Sequence, residues 1–330
     1  MWYEDISNDS DVVISTRLRY ARNIAGYKFP HMMNNNERAK IIKLIENVKL
    51  KDNYKLFKMK DIDVDTENSL MEKHLISKEF VGNDDGAIIA SDKYDILCMI
   101  NEEDHLRIQS FESGFNPDKA YNNLVEFTNM LEKNIDFAKN DKYGYLTACP
   151  TNVGSGFRVS FMLHLPALAK IKMLNKLFNQ ITNIGLSVRG FYGENTKGDG
   201  YIYQISNQKT LGISDKEIIN NVTAVVKTLI EQERKAREIL KKNNLYLEDE
   251  VYRAYGTLKY SRVINEEEAL KLLSRVRLGV STSIIKEVDL KKIQNLMINI
   301  KPYTLKLILK QDIENDEDKV RADYIRKELK

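Results

Sequence analysis

Consecutive acidic residues follow an apolar run in the first half of the chain. The segment "NEEDHLRIQ" (101–109) places Glu102 and Glu103 directly after "YDILCMI" (94–100), which has the composition of a buried strand. A simple turn would need only Asn, Gly and one acid. Carboxylates at the end of a strand can hold a planar cation such as a guanidinium through paired hydrogen bonds. If the strand continued, the two glutamates would alternate faces, so at most one would face a given pocket.

A further acid lies in a glycine-rich stretch, "GFYGENTKGDG" (190–200), which has the composition of a mobile loop. Glu194 on such a loop could complete a guanidinium clamp with a carboxylate on the more rigid strand end. The alternative is a solvated loop acid with no role in binding, which is the ordinary fate of a single loop glutamate.

Arginines are placed where strands are expected to end. Arg17 and Arg19 in "STRLR" are two residues apart on a predicted strand, so both side chains point to one face. Guanidinium groups bind phosphate oxygens bidentately, and several of them could spread the charge of a transferring phosphoryl group. The alternatives are an edge strand decorated with charge and scattered surface ion pairs. Three more arginines lie at junctions of predicted strands and turns: Arg107, Arg158 and Arg189.

The cysteines and histidines indicate no metal centre. Cys149 precedes Pro150 and is a plausible thiolate neighbour of a cation or, equally, a small buried hydrophobic residue, whereas Cys98 is expected in the core. The four histidines show no metal-ligand spacing, and we expect no metal site made of protein side chains; they are His31, His74, His105 and His164. P-loop, dinucleotide-binding and protein-kinase motifs are also absent from the sequence.

The bulk composition narrows the class of protein. The 330 residues include 51 basic and 48 acidic side chains, and this net charge of +3 does not favour direct nucleic-acid binding. The N-terminal segment is acidic and polar, unlike a targeting peptide, and no apolar run reaches the roughly 18 residues of a membrane span. Without a disulfide framework, the two cysteines suit a reducing compartment. We therefore expect a cytoplasmic protein with no membrane partner.

The element pattern predicts two parts. Up to about residue 212, strand-like and helical segments alternate; the helical ones include 35–50 and 116–138, the second starting with Asn116 as N-cap and Pro117 at the first helical position. A capping box from Ser214 to Glu217 then opens a long amphipathic helix, and the remaining segments also have helical spacing. We predict a mixed α and β domain over 1–212 and a helical domain over 213–330.

Taken in order along the chain, four segments resemble the ATP:guanidino phosphotransferase family, which includes arginine and creatine kinases. The resemblance covers roughly residues 10 to 212. It implies an α+β fold in which helices flank an antiparallel sheet, with ATP and Mg²⁺ as cofactors. The four segments are "STRLRYARN" (15–23), "NEEDHLRIQ" (101–109), "CPTNVGSGFR" (149–158) and "VRGFYGENTKGDGYIYQISN" (188–207).

The resemblance also implies roles for particular residues. Glu103 matches the carboxylate that holds the guanidinium and serves as nominal base, Glu102 supports it, and Glu194 matches the loop glutamate of arginine kinases. Cys149 matches the reactive active-site cysteine. Ser15 matches a nucleotide contact, and His74 matches a histidine near the adenine. The positions that match the family's phosphate-binding arginines are Arg17, Arg19, Arg107, Arg158 and Arg189.

Two departures resemble the bacterial protein-arginine kinases. Small-substrate members carry a helical domain before the first motif, which here starts at residue 15, and this chain has a helical C-terminal extension instead. The resemblance implies transfer of the ATP γ-phosphoryl group to arginine side chains of proteins, which marks them for the ClpC–ClpP protease. It further implies an activator of the McsA type and phosphoarginine binding by the C-terminal domain. A homo-oligomer is also expected.

Asp318 and Arg321, in "EDKVRADYIR" (317–326), are the candidates for the phosphoarginine pocket, and a solvated terminal helix is the alternative. Two other functions stay open for the whole chain. One is a kinase of free arginine or another small guanidino compound, and the other is a non-catalytic phosphoarginine-binding adaptor.

Overall fold

The computed structural model describes residues 1–190, 199–242 and 244–330. Its largest feature is a sheet whose strand order is β2-β3-β4-β5-β1-β8-β10-β9, and each neighbouring pair is antiparallel. A short ribbon of β6 and β7 lies apart from it. The strands are β1 (Val13–Arg22), β2 (Tyr54–Lys58), β3 (Ala87–Ser91), β4 (Ile96–Ile100), β5 (Leu106–Ser113), β6 (Lys139–Asn140), β7 (Gly144–Tyr145), β8 (Phe157–His164), β9 (Leu186–Gly190) and β10 (Ile202–Asn207).

Helices flank this sheet and make up the C-terminal part. Together with the antiparallel pairing, they confirm the predicted α+β fold with its helical C-terminal region. The helices are α1 (Asn35–Glu46), α2 (Val64–Glu72), α3 (Pro117–Glu132), α4 (Pro166–Lys170), α5 (Leu174–Asn183), α6 (Asp215–Lys241), α7 (Asn244–Tyr260), α8 (Glu266–Ser281), α9 (Leu290–Asn299), α10 (Pro302–Leu309) and α11 (Glu317–Glu328).

The two faces of the sheet serve different cores, because side chains alternate along each strand. On β1, Leu18 and Tyr20 belong to a core shared with α1, α3, α5 and α6. The alternate residues of β3 and β4, such as Ile88 and Met99, belong to a second core with the C-terminal helices. Arg17 and Arg19 therefore lie on the face of β1 opposite the first core, as their spacing predicts.

Helix starts follow the predicted signals with one informative difference. The capping box of Ser214 and Glu217 opens α6, as predicted. Asn116 and Pro117 open α3, but the Asn116 side chain does not cap the helix. Its Nδ2 instead donates to Ser7 Oγ and to the Ser113 carbonyl, both at 2.6 Å, because the N-terminal segment packs against this turn.

The long helix α6 packs against the sheet, where Val222 and Val226 are fully buried in the first core. The division of the chain at 212/213 stays a prediction. Within the three described ranges, no helix combines the length and apolar character needed to cross a bilayer.

A polar joint connects the start of β1 to α6 and α8. Asp11 accepts hydrogen bonds from Arg234 and Arg237, and Arg237 also bonds Glu233 at 2.9 Å. Glu233 is fully buried and accepts from the first amides of α4. Arg277 of α8 donates to the carbonyls of Ser10 and Asp11. The joint thereby fixes the chain just before the strand that carries Arg17 and Arg19.

Candidate active site

The predicted arginines meet in one cavity of about 300 Å³ on the arginine-bearing face of the sheet. Strands β1, β5, β8 and β9 each contribute at least one arginine, and β10 contributes Gln204. The lining residues are Trp2, Ser15, Arg17, Arg19, His74, Ser77, Glu79, Arg107, Phe111, Arg158, Ser160, Met162, Arg189, Gly190 and Gln204.

Strand register places like charges side by side. Arg19 of β1 lies directly opposite Arg158 of β8, and Arg189 of β9 lies opposite Gln204 of β10. Directly opposed like charges destabilise an antiparallel pair. A sheet that keeps such a pair inside a cavity is suited to an anion that neutralises both guanidinium groups.

Hydrogen bonds fix Arg17 within this group. Its Nη2 donates to Gln204 Oε1 at 3.1 Å and its Nε to Ser160 Oγ at 3.4 Å, so neither partner supplies a negative charge. Burial, and then the fields of Arg107 and Arg158, lower the pKa of Arg17 to about 9. The guanidinium is therefore oriented but electrostatically unbalanced.

The pKa values of Arg19 and Arg158 are lowered for the same reasons as that of Arg17. Burial, followed by the charges of other arginines, moves the pKa of Arg19 well below its ordinary value and lowers that of Arg158. The Nε atoms of Arg107 and Arg158 are buried and have no hydrogen-bond partner among the described residues. Excess positive charge and unused donors together fit a polyphosphate.

The acidic segment forms a bend at one end of this cavity. Strand β4 ends at Ile100, and Asn101 adopts a left-handed conformation with φ of 63°. The strand does not continue, so the two glutamates are separated by a turn rather than by strand alternation. Glu103 is exposed, whereas the Glu102 side chain is 8% exposed.

Both carboxylate oxygens of Glu102 accept hydrogen bonds from within the protein. Its Oε1 accepts from Arg107 Nη1 at 2.8 Å and from Ser77 Oγ at 2.7 Å, and its Oε2 accepts from the Glu103 amide. Burial alone would raise the pKa of Glu102, but Arg107 and the hydrogen bonds outweigh it and the pKa is lowered. Glu102 therefore stays ionised and orients Arg107, while Glu103 remains available to a ligand.

Asp104 ties the bend to the segment that carries Cys149. Its Oδ1 accepts from the Ala148 amide and from Asn23 Nδ2, both at 2.6 Å.

Burial is the largest effect on Arg158 and lowers its pKa, yet the nearby charges of Cys149 and Glu103 act in the opposite direction. Cys149 and Glu103 thus lie close enough to Arg158 for their charges to act on it, and their roles in the reaction stay predictions.

Cys149 is partly exposed, and its Sγ lies 3.1 Å from Thr151 Oγ1. The glycines that follow it serve close packing of the backbone. Gly154 has φ of 113°, and a Cβ there would lie 2.5 Å from the Thr210 carbonyl oxygen; Gly156 has φ of 60° and faces the Ala21 carbonyl. "VGSGF" is therefore the tight turn that aligns Arg158.

Part of the cavity lining is less charged. Ser15 and His74 belong to it, with the apolar side chains of Trp2, Phe111 and Met162. Burial, then the charges of Lys301 and Arg17, move the pKa of His74 well below its ordinary value, so the ring is neutral at pH 7. A planar, uncharged group fits against these less charged side chains better than a phosphate does.

Among the described residues, five of the predicted site residues do not line the cavity: Glu102, Glu103 and Cys149 lie on segments beside it, and Asp318 and Arg321 lie in the C-terminal part. Glu194 falls within 191–198, outside the described residues. Arg321 is fully buried in the C-terminal part, where it donates to the carbonyls of Ile264 and Ile300 and to the carboxylates of Asp318 and Glu317. These bonds fasten α11 to the helices before it. The phosphoarginine pocket at Asp318 and Arg321 stays a prediction.

Sequence reasoning missed several polar partners. Ser77 and Gln204 received no role from the sequence, yet they contact site acids or arginines, and these contacts depend on packing between distant elements. Ser160 had a usable signal, since it lies two residues after Arg158 on a predicted strand and so shares its face. Asp104 was visible in the acidic segment but received no role.

The described residues contain no group of three or more His, Cys, Asp or Glu that could hold a metal ion. Mg²⁺ commonly binds through substrate phosphates with few protein ligands, and a cavity rich in phosphate-binding donors is compatible with that mode. The expected lack of a metal site made of protein side chains stays a prediction.

Profiles of known families match most of the chain. The ATP:guanido phosphotransferase C-terminal catalytic domain matches residues 28–236. The protein-arginine kinase McsB C-terminal domain matches residues 244–330. The second match begins after α6.

Curated relatives align over nearly their whole length. A protein-arginine kinase of Clostridium tetani is 40% identical over 100% of this chain and 98% of its own. That of Clostridium kluyveri is 44% identical over 96% of this chain and 94% of its own, and one from a Geobacillus strain is 41% identical over 100% and 93%.

Solved structures share the fold of the catalytic part. The duplicated taurocyamine kinase of Schistosoma mansoni, with bound transition-state analogue components, gives a TM-score of 0.63 at 29% identity over 70% of this chain. The chain spans 34% of that duplicated enzyme. A lombricine kinase gives 0.61 at 25% identity over 70% of each chain. Because a family profile matches well over half of the chain and relatives align along all of it, the chain belongs to the ATP:guanido phosphotransferase family, which confirms the predicted family and its ATP-dependent phosphotransferase chemistry.

Proposed function

We propose that this protein is a protein-arginine kinase, which transfers the γ-phosphoryl group of ATP to arginine side chains of proteins. The observation that carries the proposal is a cavity lined by arginines with unused donors, beside which lies the exposed carboxylate of Glu103, whose charge acts on Arg158. The names of the full-length relatives support the choice of acceptor.

The cavity offers a place for each part of ATP. The triphosphate would lie among Arg17, Arg19, Arg107, Arg158 and Arg189, whose charges are largely uncompensated. The adenine would lie toward Ser15 and His74. Mg²⁺, when bound with the nucleotide, would supply further neutralisation of the transferring phosphoryl group.

The carboxylates would handle the acceptor. Glu103, with Glu194 as the proposed second contact, would accept hydrogen bonds from the guanidinium and align one nitrogen with the γ-phosphorus. An N–P bond forms as the bond to the β,γ-bridging oxygen breaks, and ADP leaves. Since the guanidinium pKa is above about 12, Glu103 would take the proton late in the transfer rather than before it. Glu102 holds Arg107 in place throughout.

Access favours an arginine presented on a chain. Glu103 is exposed and Cys149 is partly exposed, so the acidic segment beside the cavity is open to the surface. A side chain that extends from a protein backbone can enter such an opening. Cys149 would lie beside the entering cation; its role in the reaction belongs to the proposal.

The biological setting is part of the same proposal. We propose a cytoplasmic enzyme that acts as a homo-oligomer with an activator of the McsA type and marks proteins for ClpC–ClpP degradation. The support for these partners is the family resemblance, including the C-terminal domain match.

The test is incubation of the purified protein with Mg-ATP and two acceptors, an unstructured protein and free arginine. Acid-labile phosphate is quantified on each, and modified arginines are mapped by mass spectrometry under mild conditions. Phosphoarginine on the protein with little on free arginine is the expected result. Equal or greater transfer to free arginine would identify a small-guanidino kinase, and no transfer to either would favour a non-catalytic adaptor.

A further inference from the structure

Helix α8 of the C-terminal part contacts the catalytic sheet through two buried polar residues. Ser274 and Arg277 lie one turn apart on the same face of α8, and neither side chain has exposed surface. Ser274 Oγ donates to the Gly200 carbonyl at 2.6 Å, and Arg277 donates to the carbonyls of Ser10 and Asp11 at 2.6 and 3.1 Å. Both residues therefore hold backbone of the catalytic part.

The bonded carbonyls precede strands that carry the site. Asp11 comes two residues before β1, which contains Arg17, and Gly200 comes two residues before β10, which contains Gln204. Gln204 accepts from Arg17 at 3.1 Å and lies opposite Arg189. Strands β1 and β10 both pair with β8. One helix face thus fixes the entry of two of the strands that orient the phosphate-binding arginines.

The backbone at the second anchor needs external support. Gly200 has φ of 67° and the next residue, Tyr201, has φ of 58°, a left-handed conformation that is unfavourable for a non-glycine residue. A Cβ on Gly200 would lie 3.4 Å from Ser274 Cβ and 3.5 Å from the Leu270 carbonyl oxygen. Apart from Ser274, the Leu165 amide holds this turn by donating to the Tyr201 carbonyl at 2.9 Å.

His164 extends the contact to β8. It shares the strand face of Arg158, Ser160 and Met162, and its Nε2 lies 2.9 Å from Ser274 Oγ. Because the Ser274 hydroxyl hydrogen is directed to Gly200, the serine oxygen accepts from Nε2–H of a neutral imidazole. Burial, followed by the charges of buried arginines, moves the His164 pKa well below its ordinary value, which keeps the ring neutral. The chain from Nε2–H through Oγ to the Gly200 carbonyl joins β8, α8 and the start of β10.

We infer that Ser274 is a positioning residue for phosphoryl transfer, through which the C-terminal domain sets the geometry of the arginines around the nucleotide. The inference rests on the proposed function. It assigns the C-terminal domain a part in the chemical step in addition to any binding of partners. Misplacement of a catalytic group by about 1 Å can reduce turnover by up to about a hundredfold, so loss of this one hydroxyl is measurable.

The test compares Ser274→Ala with Ser281→Ala in the full-length protein. Ser281 is the matched control because it lies on the same helix but donates only to the Arg277 carbonyl within α8. Arginine phosphorylation of an unstructured protein gives kcat and the KM for ATP, and calorimetric titration gives the number of nucleotide sites per chain. We expect kcat per nucleotide site to fall about tenfold in Ser274→Ala, with the KM for ATP within about threefold of wild type. Ser281→Ala should match wild type.

Three results would overturn the inference. In the first, Ser274→Ala turns over substrate as fast as Ser281→Ala. In the second, the loss of activity in Ser274→Ala equals its loss of nucleotide sites, which would show a folding defect. A rise in KM with unchanged kcat would show a role in binding alone. If wild type itself modifies neither acceptor, the proposed function fails and this inference fails with it, a pattern distinct from the other three.

Discussion

Two clusters of arginines lie in this protein, and they differ in what surrounds them. The joint arginines are Arg234, Arg237 and Arg277. Each of them donates to aspartate or glutamate side chains or to backbone carbonyls. The pocket arginines are Arg17, Arg19, Arg107, Arg158 and Arg189. Within the described residues, Arg107 is the one member that has an ion pair, to Glu102.

The pKa values alone do not separate the clusters. Burial comes first in both cases and lowers the pKa of Arg17 and of Arg277 to about 9, with nearby arginines adding to the effect. The difference lies in the partners: Arg277 bonds fixed carbonyls of the chain, whereas Arg17 bonds neutral side chains beside further arginines. Arginines that bond carbonyls or carboxylates of the chain indicate a scaffold, and arginines that bond neutral side chains beside further arginines indicate a place for a ligand.

The largest expected effect concerns the acid beside the pocket arginines. Glu103→Gln keeps the size of the side chain but removes the charge and the proton acceptor, so we expect transfer to fall by about a thousandfold or more. ATP affinity, measured by calorimetric titration, should stay within about threefold. An equal loss of transfer and ATP binding would contradict the role of Glu103 as the contact of the guanidinium.

A stability measurement separates the two clusters directly. Arg237→Ala leaves the fully buried Glu233 without its ion pair, which should lower the free energy of unfolding by about 3 to 5 kcal/mol. Arg158→Ala removes one of several mutually repelling charges and should change the free energy of unfolding by less than about 1 kcal/mol. Chemical denaturation of both variants measures the contrast. Similar losses of stability in the two variants would mean that the pocket arginines also hold the fold together.

A smaller effect concerns the one ion pair in the pocket. The pKa of Glu102 is lowered in the folded state, so its ionised form stabilises the fold above the ordinary glutamate pKa of about 4.3. That contribution is lost as the pH falls through the lower folded-state value. Glu102→Gln should therefore be less stable than wild type at pH 7, and the gap in unfolding midpoint should narrow below about pH 4. A gap that is constant down to acid pH would show that the charge is not responsible.

Local sequence patterns predicted the frame of the site. The spacing of Arg17 and Arg19 predicted a shared face, and the apolar run at 94–100 predicted the buried strand β4. These predictions succeed because side-chain alternation and turn composition act over a few residues. Cys98 is fully buried, as its position within a strand predicted.

Partners from distant segments were beyond such reasoning. Ser77 reaches Glu102 and Gln204 reaches Arg17 across 25 and 187 positions of sequence, so the contacts exist only once the sheet is assembled. The sequence also could not tell Arg237 and Arg277 from the pocket arginines, because charge balance depends on burial and on which carbonyls lie near. The bend at Asn101 changed the expected alternation of the two glutamates for a similar reason, since it depends on Asn101 Nδ2 bonding the distant carbonyls of Arg38 and Asp85.

We predict that the pocket arginines bind the phosphates of ATP, since within the described residues four of the five have no ion pair. The most direct test is calorimetric titration of Mg-ATP into wild type and Arg158→Ala, with the unfolding midpoint of each confirming that the variant is folded. We predict that the folded variant binds Mg-ATP about ten- to a hundredfold more weakly, the loss of one to two charge-assisted hydrogen bonds. An unchanged ATP affinity in the folded variant would contradict the claim and remove Arg158 from the phosphate site.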